Sequence, residues 1–260
     1  MMIMLMSADR KPRSLFQFAL RVVWATAILL ATSGPFSAEE TKTVLPAGKL
    51  QVRKVLFLGN SITLHGVAPQ IGWNGNWGMA ASAEGKDYVH LLMSQIARST
   101  DNKPASLVKN IADFERGLEG FKLKEGLRAE LEFEADLVIV AIGENASALN
   151  TEEAKARYKK AFESLLAELK QHGQPTLVVR SCFWANPAKD EIMKQACADA
   201  GGIWVDMSQL GRDEANHASS ERKIEHAGVA DHPGDKGMQA ISDELWKSIT
   251  QQSALWKESN

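Results

Sequence analysis

The stretch "VRKVLFLGNSITLHG", Val52 to Gly66, decides how this chain is read. An aliphatic run ends abruptly at Gly59-Asn60-Ser61, and a small polar loop follows. Continuous apolar runs bounded by turn residues suit a strand covered on both faces, as in a parallel sheet. Ser61 then stands just past the strand's carboxyl end. A serine there is either the cap of a following helix or an exposed nucleophile.

Similar runs recur downstream: "SLVKN" (106–110), "DLVIVAIG" (136–143), "PTLVVRS" (175–181) and "GIWVDM" (202–207). Helical patterns lie between them. In "TEEAKARYKKAFESLLAELKQHG" (151–173), Tyr158, Phe162, Leu165 and Leu169 form one apolar stripe, Glu152 and Glu153 occupy the first turn, and Gly173 makes a stop. Residues 86–99 and 235–249 have the same periodicity. Strand–helix alternation over about 200 residues, with no Pro/Ser-rich linker, predicts one three-layer α/β domain across 51–255.

The first 38 residues stand apart. Arg10, Lys11, Arg13 and Arg21 precede "VVWATAILLATSG", an apolar run short for a bilayer span, and small residues follow. That order describes a secretory signal peptide at 1–38, with an uncleaved anchor as the alternative, and predicts an exported protein. Residues 39–50 read as a short leader. Without 1–38, the 30 basic and 32 acidic side chains become 26 and 31, net −5. No basic block remains to hold a polyanion, so nucleic acid is not an expected partner. Cys182 and Cys197 both fall in the exported part, where a disulfide and two buried thiols are equally open.

In an open parallel sheet the functional loops gather beyond the carboxyl ends of the strands. Those ends present Gly59-Asn60-Ser61, Asn110 to Arg116, Gly143-Glu144-Asn145, Ser181 to Trp184, and Asp206. An Asn amide such as Asn145 is a suitable donor to a developing oxyanion. Of six histidines, His232 in "DHPGDKGM" is the one whose backbone is stiffened by Pro233 and anchored by a helix start. A general base needs that kind of support.

A strand ending Gly-(Asp or Asn)-Ser, a Gly-x-Asn after a middle strand, and His-Pro before the last helix together resemble the SGNH/GDSL hydrolase superfamily. The ordered set runs from "FLGNSIT" to "HPGDKGM" and spans nearly the whole exported chain. The resemblance implies a flavodoxin-like α/β/α sandwich with a central parallel sheet of about five strands. It also implies ester hydrolysis without a metal or other cofactor. Ser61 takes the place of the nucleophile and of one oxyanion donor, Asn145 of another, and His232 of the base. Three positions depart from the pattern. Asn60 replaces the usual Asp, and "NIADFERG" (110–117) lacks the expected glycine, leaving Ala112 or a close neighbour as third donor. Val229 stands where the acid three residues before the histidine belongs. A Ser–His dyad is therefore expected, its imidazole oriented by a backbone carbonyl or by Glu225, Asp231 or Asp235.

Trp73 and Trp77, set among glycines and asparagines in "GVAPQIGWNGNWGMAAS", and Trp184 after a later strand, are candidates to line a sugar-binding cleft; core packing is the alternative. The leading expectation is an exported serine esterase removing small acyl groups, acetyl foremost, from a carbohydrate. A lipid or aryl-ester hydrolase is a competitor, and a non-catalytic carbohydrate-binding protein on the same scaffold is another. Metal-dependent hydrolysis through His226, Asp231, His232 and Asp235 matches no strong ligand spacing.

Overall fold

The computed structural model describes residues 48–257. The signal peptide expected at 1–38 and most of the expected leader lie outside the described residues. Five strands form one sheet: β1 (Lys54–Gly59), β2 (Ala105–Asn110), β3 (Leu137–Ala141), β4 (Thr176–Arg180) and β5 (Ile203–Val205). Their order is β2-β1-β3-β4-β5, and every neighbouring pair is parallel. The helices that matter for the site are α1 (Tyr88–Ser99), α2 (Ala112–Gly117), α3 (Glu152–Gln171), α4 (Pro187–Asp199), α5 (Ala227–Ala230) and α6 (Asp235–Thr250).

The two-residue period of a strand sorts the apolar runs onto two faces. Leu56, Leu58, Val138, Val140, Leu177 and Val179 meet α3 and α4 through Tyr158, Phe162, Leu165 and Met193. Val55, Phe57, Leu137, Ile139 and Val178 meet α1 and α6 through Tyr88, Leu92, Met238 and Ile241. The expected three-layer sandwich follows, with both sheet faces covered. A smaller cluster of Ala68, Trp73, Met79, Ala80, Ala218 and Val229 sits apart from the two sheet-packed layers. Lys49–Leu50 pairs antiparallel with Trp256–Lys257, which ties the two ends of the described chain together. Among the described residues no helix is long and apolar enough to cross a membrane.

In this strand order the chain grows to one side of β1 and then to the other. Gly59 and Ala141 are register partners at the carboxyl ends of β1 and β3. The loops leaving these two strands go opposite ways and open a crevice between them. Gly143, just after β3, has φ +128°, and a Cβ there would lie 2.6 Å from the Cys182 sulfur. Glycine is required on both counts. Cys182 and Cys197 are free and buried in the α3–α4 layer, which settles the alternative left open by the sequence. Burial pushes both thiols up, that of Cys197 to about 11, so neither residue is poised as a nucleophile.

The α3 stripe buries Tyr158 and Phe162, both 1% exposed, against the sheet. Replacing Phe162, 1% exposed, by Ala is expected to cost about 3–5 kcal/mol. A lowered urea midpoint at unchanged slope would register it.

Candidate active site

Ser61 follows β1 in a tight turn and does not cap a helix. Asn60 builds that turn: its carbonyl accepts the Thr63 and Leu64 N–H groups at 3.0 and 2.9 Å, and its Oδ1 accepts from Ile62 N–H at 3.2 Å. A side chain at Gly59 would collide with Thr63, so the strand must end in glycine for the turn to close. The result leaves the Ser61 hydroxyl free of the backbone and half-buried. Its Oγ lies 2.8 Å from His232 Nε2. Among the described residues nothing accepts the Ser61 N–H.

His232 is held by its neighbours along the chain. Its carbonyl accepts from Ala218 N–H at 2.8 Å, and Pro233 bridges to His217. The following α6 begins at Gly234, which has no side chain to cap it. Glu221 supplies the cap from across the loop, accepting the Asp235 and Lys236 N–H groups at 2.8 and 2.7 Å. On the ring, Nδ1 lies 2.6 Å from the Gly228 carbonyl. A carbonyl only accepts, so Nδ1 carries the proton and Nε2 is the lone-pair nitrogen facing Ser61. Of the orienting groups the sequence left open, the backbone carbonyl is the one in place. Asp231 instead pairs with His217 at 3.0 Å, and Asp235 holds Ser82 and Lys86. Burial pushes the His232 pKa below the usual 6.5, against the raising pull of the Gly228 carbonyl and of Asp231. The neutral, proton-accepting ring is thereby favoured.

Beneath the Ser61 turn lies a buried polar network. Asn60, 0% exposed, donates through Nδ2 to Glu144 Oε2 at 2.7 Å and to Glu115 Oε1 at 3.4 Å. Glu144 Oε1 pairs with Arg180 at 2.7 Å and accepts Phe183 N–H at 2.9 Å. Burial alone would push the Glu144 carboxyl up; the Arg180 guanidinium and these hydrogen bonds hold it below 4.5. Glu115 is pushed above 4.5 by burial and by the Glu144 charge, despite accepting from Gly143 and Asn145. The network also explains the Asn60 departure: an Asp there would set a third carboxylate against two others, where the amide donates to both.

Asn145 reaches the same crevice. Its backbone N–H and Nδ2 donate to the two Glu115 oxygens at 3.0 and 2.9 Å, and its Oδ1 accepts from Arg116 at 3.4 Å. Ser61, His232, Asn145 and Ala112 all border one cleft of about 520 Å3. The Ala112 N–H, however, is committed to Asn110 Oδ1 at 2.9 Å, so it is not a free third donor.

Trp73 and Trp77 take the core-packing alternative, and none of the three tryptophans expected to line a sugar cleft borders this one. Trp73 is 6% exposed in the small apolar cluster, its Nε1–H on the His65 carbonyl, and Trp77 packs edge-on against it at 5.6 Å. The glycines that made the segment look open let the rings pack closely. Trp184 stands edge-on to the His232 ring at 5.1 Å, where it shields the imidazole. The four residues considered as metal ligands have separate partners. His226 Nδ1 accepts from Val229 N–H at 3.3 Å, and the other three are engaged as described above. Glu115 and Arg180 were missed altogether in the sequence, where a polar residue in a short helix or at a strand end looks exposed.

Two outcomes follow. Replacing Arg180, 0% exposed, by Met leaves the buried Glu144 without its counter-charge and is expected to cost about 3–5 kcal/mol of stability in denaturant unfolding. Any reaction that uses His232 as a base gains rate as the imidazole loses its proton. The acid limb of kcat/KM against pH is therefore expected to have its midpoint below 6.5.

No protein-family model matches the chain, and comparison with curated proteins gives no match. Solved structures do resemble it. Protein YXIM of Bacillus subtilis is 14% identical, with TM-score 0.52, over 82% of this chain and 59% of that one. A carbohydrate esterase, described as having divergent catalytic and non-catalytic binding functions in its active site, is 14% identical with TM-score 0.51 over 79% and 70%. A GDSL-like lipase of Bacteroides uniformis is 15% identical with TM-score 0.49 over 77% and 96%. The strand order and the layers agree with the expected sandwich, and the chain has a three-layer α/β/α fold like that of YXIM and of this carbohydrate esterase.

Proposed function

We propose that this protein is a serine carboxylic-ester hydrolase working through a Ser61–His232 dyad, and that its substrate is an O-acetylated carbohydrate outside the cytoplasm. The observation that carries the chemistry is the 2.8 Å contact between Ser61 Oγ and the lone-pair nitrogen of an imidazole fixed from behind. As Oγ attacks the acyl carbonyl, Nε2 takes its proton. The developing oxyanion faces the unpaired Ser61 N–H and the Asn145 amide. Collapse breaks the ester C–O bond, and the imidazolium returns the proton to the departing alcohol. Water, deprotonated by the same ring, then attacks the acyl-serine and releases the free acid and Ser61. The Gly228 carbonyl orients the ring without adding a charge, which weakens the base and leaves the reaction class unchanged.

The substrate reading rests on the cleft. Asn110, Asp113, Arg116, His65 and His226 make its wall largely polar, which suits hydroxyl groups better than a long acyl chain. Ile71 and His226 also border a second depression of about 600 Å3, lined by Gln70, Lys223 and Glu225, with room for the rest of an oligosaccharide. The N-terminal signal-like segment supports a substrate beyond the membrane.

The test is acetate release from acetylated oligosaccharides and from a short aryl acetate, comparing the protein with Ser61→Ala. Loss of turnover by about 10^4-fold or more, with the fold intact, is the expected result. Hydrolysis at an unchanged rate in the variant would remove the nucleophile assignment. A folded wild-type protein that binds the glycans and cleaves no ester would establish a binding protein instead.

A further inference from the structure

We propose that Glu115 is the positioning residue of the oxyanion site: its carboxylate holds the Asn145 carboxamide in the one orientation that turns an N–H toward the acyl oxygen. The proposal rests on the esterase reading above and goes beyond it to a residue that touches no substrate.

Glu115 is 1% exposed and lies in α2, in the block where a third backbone donor was expected. The Ala112 N–H in that block is already engaged. The same block sends a carboxylate inward instead. Its Oε1 accepts Gly143 N–H at 2.6 Å and Asn145 N–H at 3.0 Å, while Oε2 accepts Asn145 Nδ2 at 2.9 Å. One carboxylate therefore fixes both the main chain and the side chain of Asn145. Lys189 grips the same loop from another side through the Gly143 and Ala146 carbonyls.

An Asn side chain can usually turn over at little cost, because oxygen and nitrogen are nearly the same size. Here a flipped carboxamide would set Oδ1 against Glu115 Oε2, two acceptors facing each other, and would turn the amide toward the Arg116 donor. Both contacts forbid the flip. With one Nδ2 hydrogen spent on Glu115, the second is left for the cleft that Asn145 shares with Ser61. Two donors, one of them pinned, do the work for which the family pattern uses three.

Glu115→Gln keeps the length but places an NH2 group among donors. The expected effect is a fall in kcat of about 10- to 100-fold, less than the loss of a whole oxyanion donor, with KM changed less than about twofold. The discriminating measurement is a double-mutant cycle with Asn145→Ala. If Glu115 acts through Asn145, adding Glu115→Gln to Asn145→Ala costs less than about twofold more. Losses that multiply would show a merely structural role and overturn the proposal. A second measurement needs no Glu115 variant. In the wild-type protein, the side-chain amide pair that disappears from the 15N spectrum of Asn145→Ala should contain one slowly exchanging proton. A pair exchanging like a free amide would overturn the proposal as well. Ser61→Ala in the same assay separates the two levels. If that variant is inactive and Glu115→Gln is fully active, only the positioning role falls. If Ser61→Ala keeps its activity, the esterase reading falls and takes this proposal with it.

Discussion

Arg180 leaves the carboxyl end of β4 fully buried and meets Glu144 at 2.7 Å; through Glu144 and Asn60 it is joined to the loops that follow β1 and β3. It also donates to the carbonyls of Ala141 and Ser181, at 3.4 and 2.7 Å. One guanidinium thus ties three strand ends together at the place where the sheet opens. Two carboxylates share its field unequally: Glu144 is held below its ordinary value, while Glu115, without a direct cation, is raised. Charges this deep are tolerated because nearly every lone pair meets a donor. On the donor side, the guanidinium Nε–H has no partner. The turn carrying Ser61 and the loop carrying Asn145 rest on the same network, so their separation is set by ion and hydrogen-bond geometry and not by loop contacts with solvent.

The histidine reaches this assembly from the opposite direction. Its loop is bound to residues 216–218, and Glu221 caps the helix behind it, so the ring arrives on a braced element. Trp184 and the Gly228 carbonyl complete the enclosure. Shielding from water disfavours the imidazolium. The Gly228 dipole and the Asp231 charge favour the imidazolium, but burial outweighs them and the pKa is lowered.

Much of this was legible in the residues. The five strands showed as bounded apolar runs, because strands covered on both faces have no alternation to disguise them. The α3 helix was marked by its stripe and by Gly173 as the stop, which has φ +80°; in the structure Thr151 caps its other end. Ser61, Asn145 and His232, which border one cleft, drew notice because each stands near a residue with strong backbone meaning: a glycine that must lack a side chain, or a proline. Glu115 and Arg180 carried no such mark. A charged residue buried by partners far along the chain looks, in sequence, like one facing water. The tryptophans failed for the converse reason. Glycines and asparagines suggested an open loop, yet small residues are also what permits two indoles to stack edge to face in a closed one.

Val229 joins these threads. It is 3% exposed and packs with Trp73, Met79, Ala80 and Ala218 in the cluster of the 68–80 loop. The position from which an acid would steer the histidine is therefore also a keystone of that loop's own core. A carboxylate introduced there would lose that apolar packing, and the 68–80 loop that borders the cleft would loosen. A change at position 229 therefore acts on the wall of the cleft and on the packing of the 68–80 loop together.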